Sequence, residues 1–215
     1  MSDERVVRIP SGRVRIEGML EIPEGAGGVV LFAHGSGSGR FSPRNQFVAR
    51  TLREGGMATL LVDLLEEWES QDRSKVFDIG LLAERLLSAT GWLQADPETA
   101  DLAIGYFGAS TGAAAALEAA ARGGYEIKAI VSRGGRPDLA MDYLPRVTAP
   151  TLLIVGGNDW PVIPLNEEAL QRLPAVKEMV IVPGASHLFE EPGTLEEVAR
   201  LAREWFSKYL IPGAR

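Results

Sequence analysis

The chain has 215 residues, 22 of them basic and 29 acidic, for a formal charge of −7 with its two histidines neutral. That length suits one α/β domain, 1–215, and the acidic balance without any Lys/Arg cluster excludes tracking of a phosphate backbone, so no nucleic-acid partner is expected. Cysteine is absent, which excludes disulfides, a thiolate nucleophile and a cysteine-based zinc site.

Residues 14–22 alternate Val14, Ile16, Leu20 and Ile22 with Arg15, Glu17, Met19 and Glu21, the period of a strand with one face in water. A turn at Pro10-Ser11-Gly12 joins it to an earlier strand at 5–9, predicting an antiparallel N-terminal hairpin. Residues 28–33 carry no polar side chain and predict a strand covered on both faces. His34-Gly35-Ser36-Gly37-Ser38-Gly39-Arg40 follows it directly. Ser42-Pro43 predicts a capped helix start, with Val48 and Leu52 on one face and a stop at Gly55-Gly56. A strand at 58–62 then ends at Asp63. Glu66-Glu67-Trp68-Glu69 reads as a loop or a frayed helix, either solvated or facing the substrate as a lid. Ile79, Leu82, Ala83, Leu86 and Leu93 recur at helical spacing until Asp96-Pro97.

Further strands are expected at 102–107, 127–131, 151–155 and 179–182, with a helix at 113–121 ended by Gly123-Gly124. Thr194-Leu195-Glu196-Glu197 reads as a capping box for a last helix whose inward stripe is Leu195, Val198, Ala199, Ala202 and Phe206. Apolar strands alternating with amphipathic helices predict a mainly parallel sheet with helices on both faces. No apolar stretch approaches the roughly 18 residues of a membrane span, and the N-terminus is polar with no apolar segment behind it. A soluble, cytoplasmic protein is therefore expected, with no membrane partner; composition leaves monomer and homodimer equally open.

Gly108-Ala109-Ser110-Thr111-Gly112 lies between an apolar run and an alanine-rich helix. In that position it reads as a nucleophile elbow, where flanking glycines let the backbone turn sharply enough to lift Ser110 off the sheet. A serine hydroxyl needs a base, and the base needs an orienting group. His34, at a strand end before alternating glycines and serines, suits a structural role. His187 lies in the loop after the last strand, on the side where parallel sheets place their sites, and is the candidate base. The acid should fall between Ser110 and His187; Asp159, in a strand-end loop, is preferred to Asp142 and to Asp138, which looks like a helix cap. The oxyanion donors expected are the backbone N–H groups of Ser36 and Thr111. A phosphate-cradle reading of residues 35–39 lacks the Gly-Lys-Ser/Thr ending of a P-loop and the dinucleotide glycine spacing.

Taken in order, the His34-Gly35 loop, the Ser110 elbow, Asp159 and His187 resemble the α/β-hydrolase superfamily, and within it the small, lidless members grouped with dienelactone hydrolase. The interval 131–151 is too short for a large inserted cap domain, as in that compact subgroup. The resemblance implies cleavage of a small carboxylic ester, thioester or lactone through an acyl-enzyme, with no metal and no organic cofactor. Dienelactone hydrolase itself uses a cysteine nucleophile, so the likeness is to serine esterases of that shape. Arg133, at the end of a strand beside the site, either holds a substrate carboxylate or bonds loop carbonyls and surface acids. Trp160 and Phe189 are candidate walls of an acyl pocket or packing residues. A binding or scaffold protein on the same fold, and an acyltransferase, are the alternative functions.

Overall fold

The computed structural model describes residues 3–211 and 213. Strands β1 (Asp3–Ser11) and β2 (Val14–Ile22) pair antiparallel with Ser11 opposite Val14. The hairpin turn is therefore Gly12-Arg13, with Gly12 at φ +58°, and Pro10 and Ser11 extend the strand rather than turn it. A two-residue hairpin needs positive φ, which glycine supplies, and Pro10 is tolerated because β1 lies at the sheet edge.

Next come β3 (Gly28–Ala33), α1 (Pro43–Glu54), β4 (Met57–Val62), α2 (Glu67–Ser70), α3 (Arg73–Val76), α4 (Ile79–Ala95), β5 (Ala103–Ala109) and α5 (Thr111–Arg122). The chain continues through β6 (Ile127–Arg133), β7 (Thr151–Gly156), α6 (Ile163–Arg172), β8 (Lys177–Val182) and α7 (Thr194–Leu210). Eight strands form one sheet in the order β1-β2-β4-β3-β5-β6-β7-β8. From β4 to β8 the pairings are parallel. Every residue of β3, β4 and β7 is buried, which is why these strands read as unbroken apolar runs.

Side-chain alternation along each strand divides the core in two. Val30, Phe32, Phe107 and Ile154 face α1 and α7, whose Val48, Leu52, Val198 and Phe206 close that side. Leu31, Tyr106, Ile130 and Leu153 face α4, α5 and α6. Chain order reverses between β3 and β5, since β4 lies on one side of β3 and β5 on the other. That is a topological switch point, where loops beyond the carboxyl ends of the two strands part and leave a crevice.

Local features differ from the sequence expectation in four further places. Helix α7 is capped by Gly193 at φ +82°, and Thr194 is its first residue rather than its cap. The Thr194 hydroxyl donates backward to Glu191 O at 2.7 Å, and Glu197 is taken by Arg200 at 2.7 Å, so no capping box forms. The box lies instead in the acidic stretch, where Glu66 and Glu69 cap α2 reciprocally. That stretch is neither frayed nor wholly solvated: Glu69 is 1% exposed and accepts both arms of the Arg85 fork, at 3.1 and 3.0 Å, with Lys75 at 3.1 Å. Burial alone would raise the Glu69 pKa, but the bonds from Arg85, the Glu66 N–H and Lys75 hold it below the ordinary carboxylate range. Asp138 is not a helix cap; it lies inside the short 3-10 turn Pro137–Ala140 and pairs with Arg136 at 2.9 and 2.8 Å. Finally, α6 has no sequence counterpart above, because it starts at Ile163-Pro164 behind Val162, which offers no side-chain cap.

Candidate active site

Ser110 sits between β5 and α5 at φ 52°, ψ −121°, a backbone conformation strained for any residue with a side chain. Its neighbours explain how the strain persists. A methyl on Gly112 would run into the carbonyl oxygens of Ala33 and His34, and one on Gly108 would run into Ala113, so two glycines let strand, helix and the neighbouring β3 close on the turn. The Ser110 N–H donates to Arg133 O at 3.2 Å and its carbonyl accepts the Arg136 N–H at 3.1 Å. The Ser110 side chain makes no capping bond to its own helix, which leaves Oγ available at the positive end of α5.

The loops after β6, β7 and β8 stand next to one another. Asp159 is buried, and its Oδ2 lies 2.6 Å from His187 Nδ1. A carboxylate accepts there, so in the neutral imidazole the proton sits on Nδ1 and Nε2 keeps its lone pair. The side chain of His187 is 38% exposed and that of Asp159 8%. The two loops are laced together by the Asn158 N–H donating to Ala185 O at 2.9 Å and Asn158 Nδ2 donating to Gly184 O at 3.0 Å. The histidine also rests on the β6 loop: a methyl built on Gly134 would come within 3.1 Å of His187 O and 3.5 Å of Nδ1. The segment 133–136 thus touches Ser110 through its backbone and His187 through Gly134. Among the described residues no hydrogen bond links Ser110 Oγ to the imidazole; such contacts are often loose before substrate binds.

On the other side of the switch point, the turn after β3 is closed by the Ser38 N–H donating to Gly35 O at 3.2 Å. Ser36 and Thr111 border the same small cavity with His34, Leu65, Val76 and Leu82. A groove of about 630 Å³ continues from His34 and Ser38 past Asp63 to Trp68 and Ser70. Arg40 fixes this loop by pairing with Asp63, and with Glu17 at 2.5 Å.

His34 plays the structural part expected of it. Its Nε2 accepts the Leu64 N–H at 2.9 Å and its Nδ1 lies 2.8 Å from Gly35 O, a pattern that requires the neutral ring protonated on Nδ1. Burial, only partly opposed by the Gly35 carbonyl and by Asp63, lowers its pKa. An unfolded imidazole takes up a proton as pH falls through about 6.5 while the folded one resists. Stability therefore drops as pH falls below about 6.5 and is unaffected by this group above it. Melting temperatures taken between about pH 8 and 5.5 should show a steeper acid-side fall in the parent than in His34→Gln, although the variant starts lower.

Of the remaining expected residues, Arg133 is 7% exposed and forms no ion pair among the described residues. Phe189 is 2% exposed and belongs to the core under α1 and α7, whereas Trp160 is 72% exposed. One positioning residue had no visible signal: Asn166 on α6 is fully buried, and its Nδ2 donates to Gly135 O at 3.1 Å, tying the β6 loop down. Among the described residues no group of three or more His, Cys, Asp or Glu side chains could hold a metal ion. None of their helices is long and apolar enough to cross a membrane.

Comparison with known proteins agrees with this fold. The crystal structure of dienelactone hydrolase from Anabaena variabilis superposes with a TM-score of 0.94 at 58% identity, over 97% of this chain and 99% of that one. Est1E from Butyrivibrio proteoclasticus shares the fold at a TM-score of 0.80 and 17% identity, over 94% of this chain and 98% of its own. A Mycobacterium tuberculosis H37Rv protein named "Putative phosphoribosyl transferase" is 56% identical over 214 residues, 99% of this chain. The chain spans about half, 48%, of that relative's length. The model of the dienelactone hydrolase family matches residues 16–210. The chain belongs to the dienelactone hydrolase family.

Proposed function

We propose that the protein is a serine hydrolase that cleaves a small carboxylic ester, thioester or lactone through an acyl-enzyme on Ser110. The observation that carries the reading is the 2.6 Å bond from His187 Nδ1 to buried Asp159, on loops that adjoin a strained serine. Nε2 of His187 takes the Ser110 proton as Oγ attacks the carbonyl carbon. Asp159 stabilises the imidazolium that forms, and the N–H groups of Ser36 and Thr111 hold the oxyanion. The imidazolium then protonates the leaving alcohol, and water, deprotonated by the same ring, releases the acid and restores the serine.

Membership of the family and the likeness to esterases support hydrolysis. The transferase name belongs to a protein about half of which lies outside the match. The cavity that Ser36 and Thr111 border is small, which favours small acyl groups. The experiment is a panel of p-nitrophenyl esters of rising acyl length. Turnover should be greatest for acetate and butyrate and fall by ~10-fold or more by decanoate, because one or more poorly housed methylenes each forfeit transition-state binding. No turnover of any ester or thioester would count for a binding module on the same fold, and a flat profile would overturn the preference for small acyl groups; products acylated on added amines or alcohols in place of free acid would identify an acyltransferase.

A further inference from the structure

Arg133 ends β6 opposite Ala109, and its carbonyl accepts the Ser110 N–H, so its backbone lies beside the elbow. Alternation along β6 sends its side chain to the face of Ala129 and Val131, toward α1 and α7. A guanidinium withdrawn from water to 7% exposure ordinarily holds a carboxylate. Arg133 holds none among the described residues, and its Nε is buried with no partner. Its surroundings add a second cation rather than an anion: burial and then the charge of Arg44 bring its pKa down to about 10.

Arg44, in the first turn of α1, also has a buried Nε without a partner, and among the described residues its one ion pair is a long 3.8 Å contact with exposed Glu190. The Phe189 ring centroid lies 6.0 Å from Arg133 Cζ. Phe189 stands at φ 55°, and it and Ser110 are the non-glycine residues in the left-handed region among the described ones. Positive φ is a genuine outlier for an aromatic residue, and such strain gathers at ligand sites. Unbalanced charge and strained backbone thus coincide two residues from His187.

We infer that Arg133, with Arg44 beside it, receives a phosphate carried by the substrate, so that the ester opened at Ser110 belongs to a phosphate-bearing small molecule. A phosphate monoester has nearly two negative charges at neutral pH and three terminal oxygens. Two of those oxygens match the fork of Arg133, and the third remains for Arg44. A carboxylate, with one charge and two oxygens, would satisfy one guanidinium and leave the other unbalanced. The phosphate is a handle and takes no part in bond making. The inference rests on the proposed hydrolase reading only for where the reacting ester lies; binding of the phosphate is independent of it.

The test is calorimetric titration of inorganic phosphate into the Ser110→Ala protein near pH 8 at fixed ionic strength, with acetate as the comparison anion. Saturable binding of one phosphate per chain is expected, weakened at least ~10-fold by Arg133→Met and several-fold by Arg44→Met, as for loss of charge-assisted hydrogen bonds. Acetate should bind at least ~10-fold more weakly than phosphate on the same grounds. Arg133→Met should melt no lower than its parent, because an unpaired buried charge is replaced by an apolar side chain. If that variant proves unstable, Arg133→Lys, which keeps the charge and loses the fork, must still weaken phosphate. No saturable binding, acetate binding as tightly as phosphate, or phosphate affinity untouched by the Arg133 variants overturns the inference. Phosphate binding at Arg133 in a Ser110→Ala protein that still hydrolyses esters would remove the nucleophile and leave the phosphate site standing.

Discussion

Ser110→Ala should lower kcat for p-nitrophenyl acetate by on the order of 10⁵ to 10⁶, the scale seen when an activated serine is removed from a triad acting as a unit. KM should change little, since Oγ contributes to bond making rather than to holding the ground state. The fold gives this variant a clean control. Ser110 holds φ 52°, ψ −121° whatever its side chain does, so alanine inherits the strain and should melt close to the parent. Glycine at the same position is equally inactive but relieves strain of order 1 kcal/mol or more, so Ser110→Gly should melt higher. Paired kinetics and calorimetry on the two variants separate lost chemistry from lost folding. Residual activity within tenfold of the parent in both would assign the nucleophile elsewhere.

Asp159→Asn is expected to cost ~10⁴ in kcat while leaving the fold intact. The reason lies in the 2.6 Å contact with His187 Nδ1. A carboxylate can only accept, which fixes the imidazole proton on Nδ1 and presents Nε2 as a base. An asparagine amide can instead donate to Nδ1, stabilising the tautomer protonated on Nε2, which cannot take the serine proton. The substitution preserves size, and the backbone bonds of the loop, from Asp159 N–H to Gly156 O at 3.0 Å and from Val162 N–H to Asp159 O at 3.0 Å, do not involve the carboxylate. A loss of less than about tenfold in kcat, measured on folded protein, would mean that the aspartate does not set the tautomer.

Much of this arrangement was legible because it is written in local chemistry. The unbroken apolar runs of β3, β4 and β7 follow from burial on both faces, and the Ser42-Pro43 start and Gly55-Gly56 stop of α1 are backbone necessities. With two histidines in the chain, one followed by a glycine-rich loop and the other beyond the last strand, elimination between them was short. The structure pairs His187 with Asp159 and assigns His34 to the Leu64 and Gly35 backbone.

What escaped the sequence depends on partners distant along the chain. Glu69 reads as surface charge until Arg85, sixteen residues on, is placed against it. Asn166 is one polar residue in an unsignalled helix until it meets Gly135. The cap of α7 shifted by one residue because Gly193 can take positive φ and Thr194 found a bond to Glu191 instead. Arg133 could be placed at a strand end, but that it would be buried and left without an anion is a fact of packing.

The most direct measurement is labelling with a fluorophosphonate probe followed by mass spectrometry of the adduct. One stoichiometric label on the peptide carrying Ser110, lost in Ser110→Ala and slowed by His187→Ala, is the result this account predicts. An unlabelled parent protein, a label on another residue, or a labelling rate indifferent to His187 would contradict it.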